Sequence, residues 1–161
     1  FFIKIGQRVI QSELTEKGRL KVFSANVLES VGNINKDDIL PDYLTPSVLW
    51  GIAGDWMVGF IEKNVPFYPT DHCGVARILN NNINPQYFAL ALEYEGSIAG
   101  FDRTNRASIE RIKALSIKTP DKKTQDDIIA KCSKSRKLII DAKDKMADVL
   151  KQKEKIFESL I

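Results

Sequence analysis

The spacing of apolar residues changes along the chain, and the change predicts two structural parts. Four stretches before residue 80 have the β-branched and aromatic composition of strands: Arg19–Ala25, Ser47–Ala53, Trp56–Glu62 and His72–Leu79. From Thr124 to Ile161 there is no Gly or Pro, and seam positions recur at alternating intervals of four and three residues. That spacing is typical of a coiled coil. The pattern predicts an α+β chain, with a small β-rich part and a few helices followed by a long C-terminal helix of about 35–40 residues.

The long helix is predicted to pair with another helix. Its seam carries seven apolar residues: Ile128, Cys132, Ile139, Met146, Val149, Ile156 and Leu160. The positions between them hold Ser135, Ala142 and Lys153, which are small or polar. A lone helix with a single apolar stripe is marginal in water, so the stripe must pack against a partner. For the isolated chain, a homodimer is the simplest arrangement.

Two shorter helices are predicted before the long one. Asn84 caps the first, Pro85 takes its first position, and Gly96 ends it. Its apolar face is formed by Tyr87, Phe88, Ala91, Leu92 and Tyr94. The second begins at Ser108, and residues 116–120 form an extended stretch before the long helix, for which Thr119 is the cap.

Turn-forming residues mark the connections between the predicted strands. Gly54-Asp55 predicts a tight reversal, because Gly accepts a positive φ and Asp hydrogen-bonds its own backbone. An irregular surface stretch is marked by Asn33, Asn35, Asp37, Asp38, Pro41 and Pro46.

The charge of the chain is unevenly distributed. Its net charge is +3, but residues 1–102 hold 8 Lys and Arg against 12 Asp and Glu, whereas residues 103–161 hold 16 against 9. The positive charge therefore begins at Arg103, and much of it lies on the long helix, where a solvated face is the ordinary explanation. No apolar run reaches the roughly 18 residues of a membrane span. Two cysteines without a C-x-x-C pair fit a reducing cytoplasm. The start Phe-Phe-Ile leads us to expect an excised piece of a longer protein.

The sequence offers no convincing catalytic set. His72 is the only histidine, so any nucleophile system would have to use it. Cys73 follows directly, and adjacent residues on a strand point to opposite faces. That geometry argues against a Cys–His dyad and against both residues binding one metal. Without a second His or a Cys pair, a zinc site has too few ligands. We therefore expect a non-catalytic chain with no cofactor and no metal.

Several segments, taken in order, resemble the specificity subunit of type I restriction–modification systems. They are Gly18–Val27, Gly32–Ile34, Trp50–Gly59, Phe67–Cys73, Asn84–Phe88, Arg106–Ile109, Lys118–Pro120 and Gln125–Ile128. Lys118-Thr119-Pro120 departs from the family pattern, since it keeps only one of the expected prolines. Each segment alone is weak, but their order and the helix that follows them are fairly specific.

The resemblance implies a function in DNA recognition. Such subunits bind double-stranded DNA and direct an adenine-N6 methyltransferase, and a restriction or translocase subunit, to a split target. Full-length members carry two recognition domains whose conserved helices run antiparallel. The resemblance thus implies a target-recognition domain over residues 1–118 and a spacing helix over residues 119–161, paired antiparallel with a second copy. The chain would be a half-subunit, an excised half, or the recognition tail of a fused methyltransferase–endonuclease.

DNA reading requires groove-reaching donors and acceptors, and cations that fix the phosphates. The candidates on expected loops and strand ends are Lys17, Arg19, Lys21, Asn26, Lys63, Arg103, Asn105 and Arg106. Asn26 and Arg106 have a second interpretation, in which they hold their loops in place. A competing hypothesis is a coiled-coil interaction module that binds protein and no DNA. A salt-dependent DNA affinity separates the two, because phosphate contacts release counterions.

Overall fold

The computed structural model describes residues 1–36 and 44–158, and it has the predicted α+β fold. The strands in these ranges are β1 Phe2–Ile5, β2 Leu20–Phe23, β3 Gly32–Ile34, β4 Ser47–Gly51, β5 Val58–Ile61, β6 Phe67–Pro69 and β7 Cys73–Arg77. The helices are α1 Pro85–Ile98, α2 Ile109–Ala114 and α3 Lys122–Glu158, with a 3₁₀ turn at Gln11–Glu13. The chain divides into two compact units, Phe1–Gln125 and Asp126–Ile161. The domain boundary at residue 118 stays a prediction.

Two sheets build the first unit. One has the order β1-β7-β4-β5 with all neighbours antiparallel, and the other has the order β3-β2-β6, in which β2 and β6 are parallel. Along β4 the side chains alternate between two cores, as strand geometry requires. Leu49 packs in the core shared with the three-stranded sheet, whereas Val48 and Trp50 pack in the core shared with α1. The four-stranded sheet is therefore the central layer.

The four predicted strands are confirmed with shorter bounds, and three strands were not predicted. β1, β3 and β6 are the additions, with β3 and β6 only three residues long. Asn33 lies within β3, so its assignment to an irregular stretch was wrong. Asp37, Asp38 and Pro41 of that stretch lie outside the described residues.

Helix α1 begins as predicted but ends later. The Asn84 side chain accepts a 2.9 Å hydrogen bond from the N–H of Gln86, which confirms the cap. Gly96 does not end the helix: it is buried inside it, where a Cβ would come within 2.2 Å of the Trp56 ring. Tyr94 was also wrongly placed on the apolar face, because it is exposed and Ala89 is buried instead.

The C-terminal helix is confirmed as one unbroken element of 37 residues, but its cap is Asp121 and not Thr119. The Asp121 carboxylate accepts hydrogen bonds from the N–H and the hydroxyl of Thr124 at 3.0 and 2.8 Å. These bonds hold the pKa of Asp121 below its usual value. Ser108 caps α2 as predicted, through the N–H of Arg111. Residues 116–120 join no strand.

Candidate nucleic-acid interface

The sequence-predicted DNA contacts lie at two opposite ends of the sheets. β2 and β6 run parallel, with Lys21 paired to Phe67, so the loops that precede both strands lie at the same end. That end, which we call the Lys17 edge, carries Lys17, Arg19, Lys21 and Lys63. Asn26 follows β2 and therefore lies at the other end. The structure does not bring all the candidates together.

The second group lies where β4 turns into β5. Gly51 pairs with Cys73, so the β4–β5 loop lies at the end where β6 leads into β7. Arg103 reaches this loop, with its Nε 3.4 Å from a carboxylate oxygen of Asp55. We call this end the Arg103 edge, and its members are Asn26, Arg103, Asn105 and Arg106.

The loop of the Lys17 edge is held against β3 and the residue that follows it by hydrogen bonds and close packing. The N–H of Thr15 donates to the carbonyl of Asn33 at 2.8 Å, and the N–H of Arg19 donates to the side-chain oxygen of Asn35 at 2.9 Å. Gly18 lies so close to Ile34 that a Cβ would come within 2.5 Å of its backbone nitrogen. A pinned loop presents Lys17 at low entropic cost to a ligand.

The Lys17 edge carries four exposed cations. Lys17, Arg19, Lys21 and Lys63 are all exposed. A fifth cation nearby, Lys36, forms an ion pair with Glu13, and the hydrogen bond between them lowers the pKa of Glu13. Lys36 thus ties the segment after β3 to the 3₁₀ turn. The four exposed cations have the charge that phosphate contact requires.

At the Arg103 edge, both asparagines are engaged in their own loops. The Asn26 side-chain oxygen accepts from the N–H groups of Leu28 and Glu29 at 3.0 and 3.3 Å. The Asn105 amide donates to the carbonyls of Ala99 and Gly100, each at 3.0 Å. Its oxygen accepts from Arg111, a residue absent from the sequence-based candidates. These bonds match the loop-holding interpretation of Asn26, and DNA contact by either amide stays a prediction.

The Arg103 loop is further fixed by Asp102. One carboxylate oxygen accepts from the N–H and hydroxyl of Thr104 and from the N–H of Asn105, all at 2.7 Å. The bond from Asn105 is the main reason that the pKa of Asp102 lies below its usual value. The exposed cations of this edge, Arg103 and Arg106, share it with several exposed acidic residues: Glu29, Asp55, Asp71 and Asp102. At the Lys17 edge four exposed cations stand beside two exposed acidic residues, Glu16 and Glu62, so among the described residues that edge is the more favourable one for a polyanion.

His72 is a polar group of the Arg103 edge that does not stand among the predicted DNA contacts. Its N–H donates to the Thr70 hydroxyl at 3.2 Å and its carbonyl accepts from Ile52 at 3.0 Å, while the residue itself is exposed. The predicted strand His72–Leu79 included this residue, whereas the structure places it in the turn before β7, so no sequence signal indicated a loop position for His72. Cys73 is fully buried, and burial raises the pKa of its thiol to about 12, so it is not a nucleophile at neutral pH.

Metal-binding clusters and membrane-spanning helices are both absent from the described part of the chain. Over residues 1–36 and 44–158, no three His, Cys, Asp or Glu side chains are grouped so that they could hold a metal ion. Every helix in the same ranges is too short or too polar to serve as a membrane span.

The seam of α3 is exposed along most of its described length. Ile139, Met146, Val149 and Ile156 each leave 55–63% of their surface accessible. Ile128 and Cys132 are half-buried, and Leu160 lies outside the described residues. Further exposed apolar residues of this helix are Leu138, Ile140, Leu150 and Phe157. The exposed apolar residues therefore include both the seam and neighbouring positions of α3.

Comparison with known proteins gives consistent matches. Residues 1–152 match the family model described as type I restriction modification DNA specificity domain. A Mycoplasma pneumoniae protein, provisionally named type I specificity subunit S.MpnORF89P, is 32% identical over 65 residues, which are 40% of this chain and 18% of that protein. The crystal structure of a type I restriction–modification system S subunit from M. genitalium shares the fold, with a TM-score of 0.62 at 17% identity. That match covers 83% of this chain and 36% of the M. genitalium chain. The chain therefore spans well under half the length of either protein.

Proposed function

Because the chain belongs to the type I restriction modification DNA specificity domain family, we propose that its first unit reads a DNA sequence for a restriction–modification complex. The match of residues 1–152 to that family is the observation that carries the proposal. The Lys17 edge supports it, because its four exposed cations offer the phosphate contacts that position a reader on a duplex.

The chemistry in this proposal is done by partners. The chain directs an adenine-N6 DNA methyltransferase, and a restriction or translocase subunit, to a split target in cytoplasmic DNA. One first unit reads one half of the site. The chain itself is non-catalytic and needs no cofactor. Few cations and a net acidic segment 1–102 limit the affinity for DNA in isolation, so specific binding requires the methyltransferase.

Helix α3 supplies the second half of the proposal. Its exposed seam pairs antiparallel with another long helix and so sets the distance between two reading units. In a solution of the isolated chain, that second helix would have to come from another copy, which gives the homodimer expected from the seam.

Methylation mapping tests the reading function. The chain is expressed with its methyltransferase in a host, and modified adenines are located by sequencing genomic DNA. Exchanging residues 1–118 for those of a relative should change the base sequence of the methylated half-site. Exchanging only the seam helix should leave that base sequence unchanged. A methylated site that stays the same after the first exchange would refute the reading function. Failure to bind any duplex, alone or with the methyltransferase, would favour the protein-interaction module instead.

A further inference from the structure

The charged residues beside the seam of α3 all have the same sign. In heptad terms, Cys132, Ile139, Met146 and Lys153 take the a positions, and Ile128, Ser135, Ala142, Val149 and Ile156 take the d positions. The flanking positions are the residue before each a and the residue after each d, known as g and e. The charged residues at these flanking positions of α3 are Lys131, Arg136, Lys143 and Lys145. All four are basic and exposed.

The acidic residues of α3 are kept away from the seam. They are Asp126, Asp127, Asp141, Asp144, Asp148, Glu154 and Glu158, and every one takes an outer b, c or f position. Asp127 and Asp141 lie four residues before Lys131 and Lys145 and can support them along the helix. Lys143 has only apolar residues three and four positions away, so no acidic residue at those positions of the helix offsets its charge.

This arrangement makes pairing between two copies weaker than pairing with a helix that has acidic flanking residues. In a parallel pair the g residues of one helix face the e residues of the other, and in an antiparallel pair e faces e and g faces g. Because the charged e and g residues of α3 are all basic, either orientation brings cations together. Lys153, inside the seam itself, adds two more positive charges to a homodimer. The apolar seam favours association, while the basic flanking residues disfavour pairing with a second copy of α3.

We propose that the partner of α3 is a different helix, with an apolar seam and Glu or Asp at its flanking positions. The inference deepens the proposed function, since it states the chemistry of the helix that spaces the reading units. Flanking charges of opposite sign set partner choice in coiled coils. The apolar flanking residues Leu150 and Phe157 widen the contact near the C-terminal end, where the seam is interrupted by Lys153.

The test uses the full chain and a charge-swapped variant as the acidic probe. The variant carries Lys131→Glu, Arg136→Glu, Lys143→Glu and Lys145→Glu. Sedimentation equilibrium in reducing buffer compares the wild-type chain alone, the variant alone, and their mixture, with one chain tagged to distinguish its mass. At low salt the mixed pair should have a Kd at least about tenfold below that of the wild-type pair. In 1 M salt, where the Debye length is about 3 Å, the preference should largely disappear.

A second variant separates the flanking charges from net charge. It carries Lys134→Glu, Lys137→Glu, Lys151→Glu and Lys155→Glu, which change the net charge equally but occupy outer c and f positions. It should pair with the wild-type chain less tightly than the charge-swapped variant does. Equal pairing by both variants would overturn the proposal. So would a wild-type pair as tight as the mixed pair, or no mixed pair at concentrations up to about 50 µM.

Two features of the design keep a folding failure, a pairing failure and a DNA-reading failure apart. Circular dichroism checks that the variants keep α3, and the double variant Lys143→Glu/Lys145→Glu replaces the fourfold one if that chain does not fold, with the same expected order of affinities. The experiment contains no DNA. A failed charge preference thus leaves the reading function standing, and a failed methylation exchange leaves the pairing result standing.

Discussion

Gln125, in the first turn of α3, accepts a 2.8 Å hydrogen bond from the backbone N–H of Asn84, the residue that caps α1. Its amide nitrogen donates to the carbonyls of Asn82 and Pro120 at 2.9 and 2.7 Å. Gln125 is fully buried, so these bonds form away from water. One side chain therefore fastens the start of α3 to the loop that begins α1. Gln125 is also one of the residues that carried the family resemblance.

Replacing Gln125 with Ala should lower the free energy of unfolding by about 2–4 kcal/mol. Three hydrogen bonds are removed, and the N–H of Asn84 is left without its Gln125 partner. Urea denaturation followed by circular dichroism measures the change, and Gln125→Leu should cost a similar amount although it keeps the volume. Gln152→Ala is the control, because Gln152 is exposed on the same helix and its replacement should change stability by less than about 0.5 kcal/mol. If the Gln125→Ala chain were as stable as the Gln152→Ala chain, Gln125 would not stabilise the attachment of the start of α3 to the loop before α1.

Gly96→Ala should destabilise the first unit, although Gly to Ala normally favours a helix. An exposed helical Gly replaced by Ala gains roughly 0.5–1 kcal/mol. Here the added Cβ would lie 2.2 Å from Trp56, whose indole N–H is held by the Glu93 carbonyl at 2.8 Å. We expect a loss of about 1–3 kcal/mol, as for other overpacked sites. Thermal unfolding measures it, with Ile98→Ala on the exposed side of α1 as the control. A higher melting temperature for Gly96→Ala would contradict the packing.

The elements with strong local signals could be predicted from the sequence. Asn84-Pro85 sets the start of α1 within two residues, and the seam of α3 repeats over five heptads without a helix breaker. β3 and β6 could not, because three residues hold too little pattern and their strand character depends on pairing with β2. Gly96 was misread for a related reason. Its Trp56 neighbour is 40 residues away, and local rules assign a helical Gly to the end.

The candidate interface was predictable by residue type but not by arrangement. Lys17 and Lys63 share an edge only because β2 and β6 run parallel. No local sequence pattern predicts the direction in which two distant strands pair. The charge pattern of the sequence also could not identify Lys36 as the cation that forms an ion pair with Glu13. The hydrogen bonds of Asn26 within its own turn could have been predicted, since an Asn side chain commonly accepts from the backbone N–H two residues later.

The stabilisation that Asp102 gives its loop should decrease at acid pH. Hydrogen bonds to the charged carboxylate lower the pKa of Asp102 in the folded chain, so its contribution is present above the unfolded pKa and is lost as pH falls through the folded one. The stability difference between the wild-type chain and Asp102→Asn should therefore be fullest at pH 6–7 and shrink below about pH 4. Urea unfolding across this range measures it. Asp71→Asn, at another exposed loop of the same edge, corrects for general charge effects, and a difference for Asp102→Asn that is constant with pH would contradict the assignment.

The two edges should contribute unequally to DNA binding. Lys17→Ala/Lys63→Ala should weaken duplex binding by about five- to tenfold and reduce the salt slope by roughly 0.9 for each phosphate that is no longer neutralised. Arg103→Ala/Arg106→Ala should have a smaller effect, because Arg103 already faces Asp55 and its edge is rich in acidic residues. Fluorescence anisotropy of a labelled duplex at several salt concentrations, with the chain alone and with its methyltransferase, gives both quantities.

Lys134→Ala/Lys137→Ala, on the outer face of α3, removes the same charge as each of the other pairs. If it weakened binding as much as the Lys17 edge variant, net charge alone would explain the effect. If the Arg103 edge variant showed the larger drop in affinity and in salt slope, the reading edge would be the opposite one.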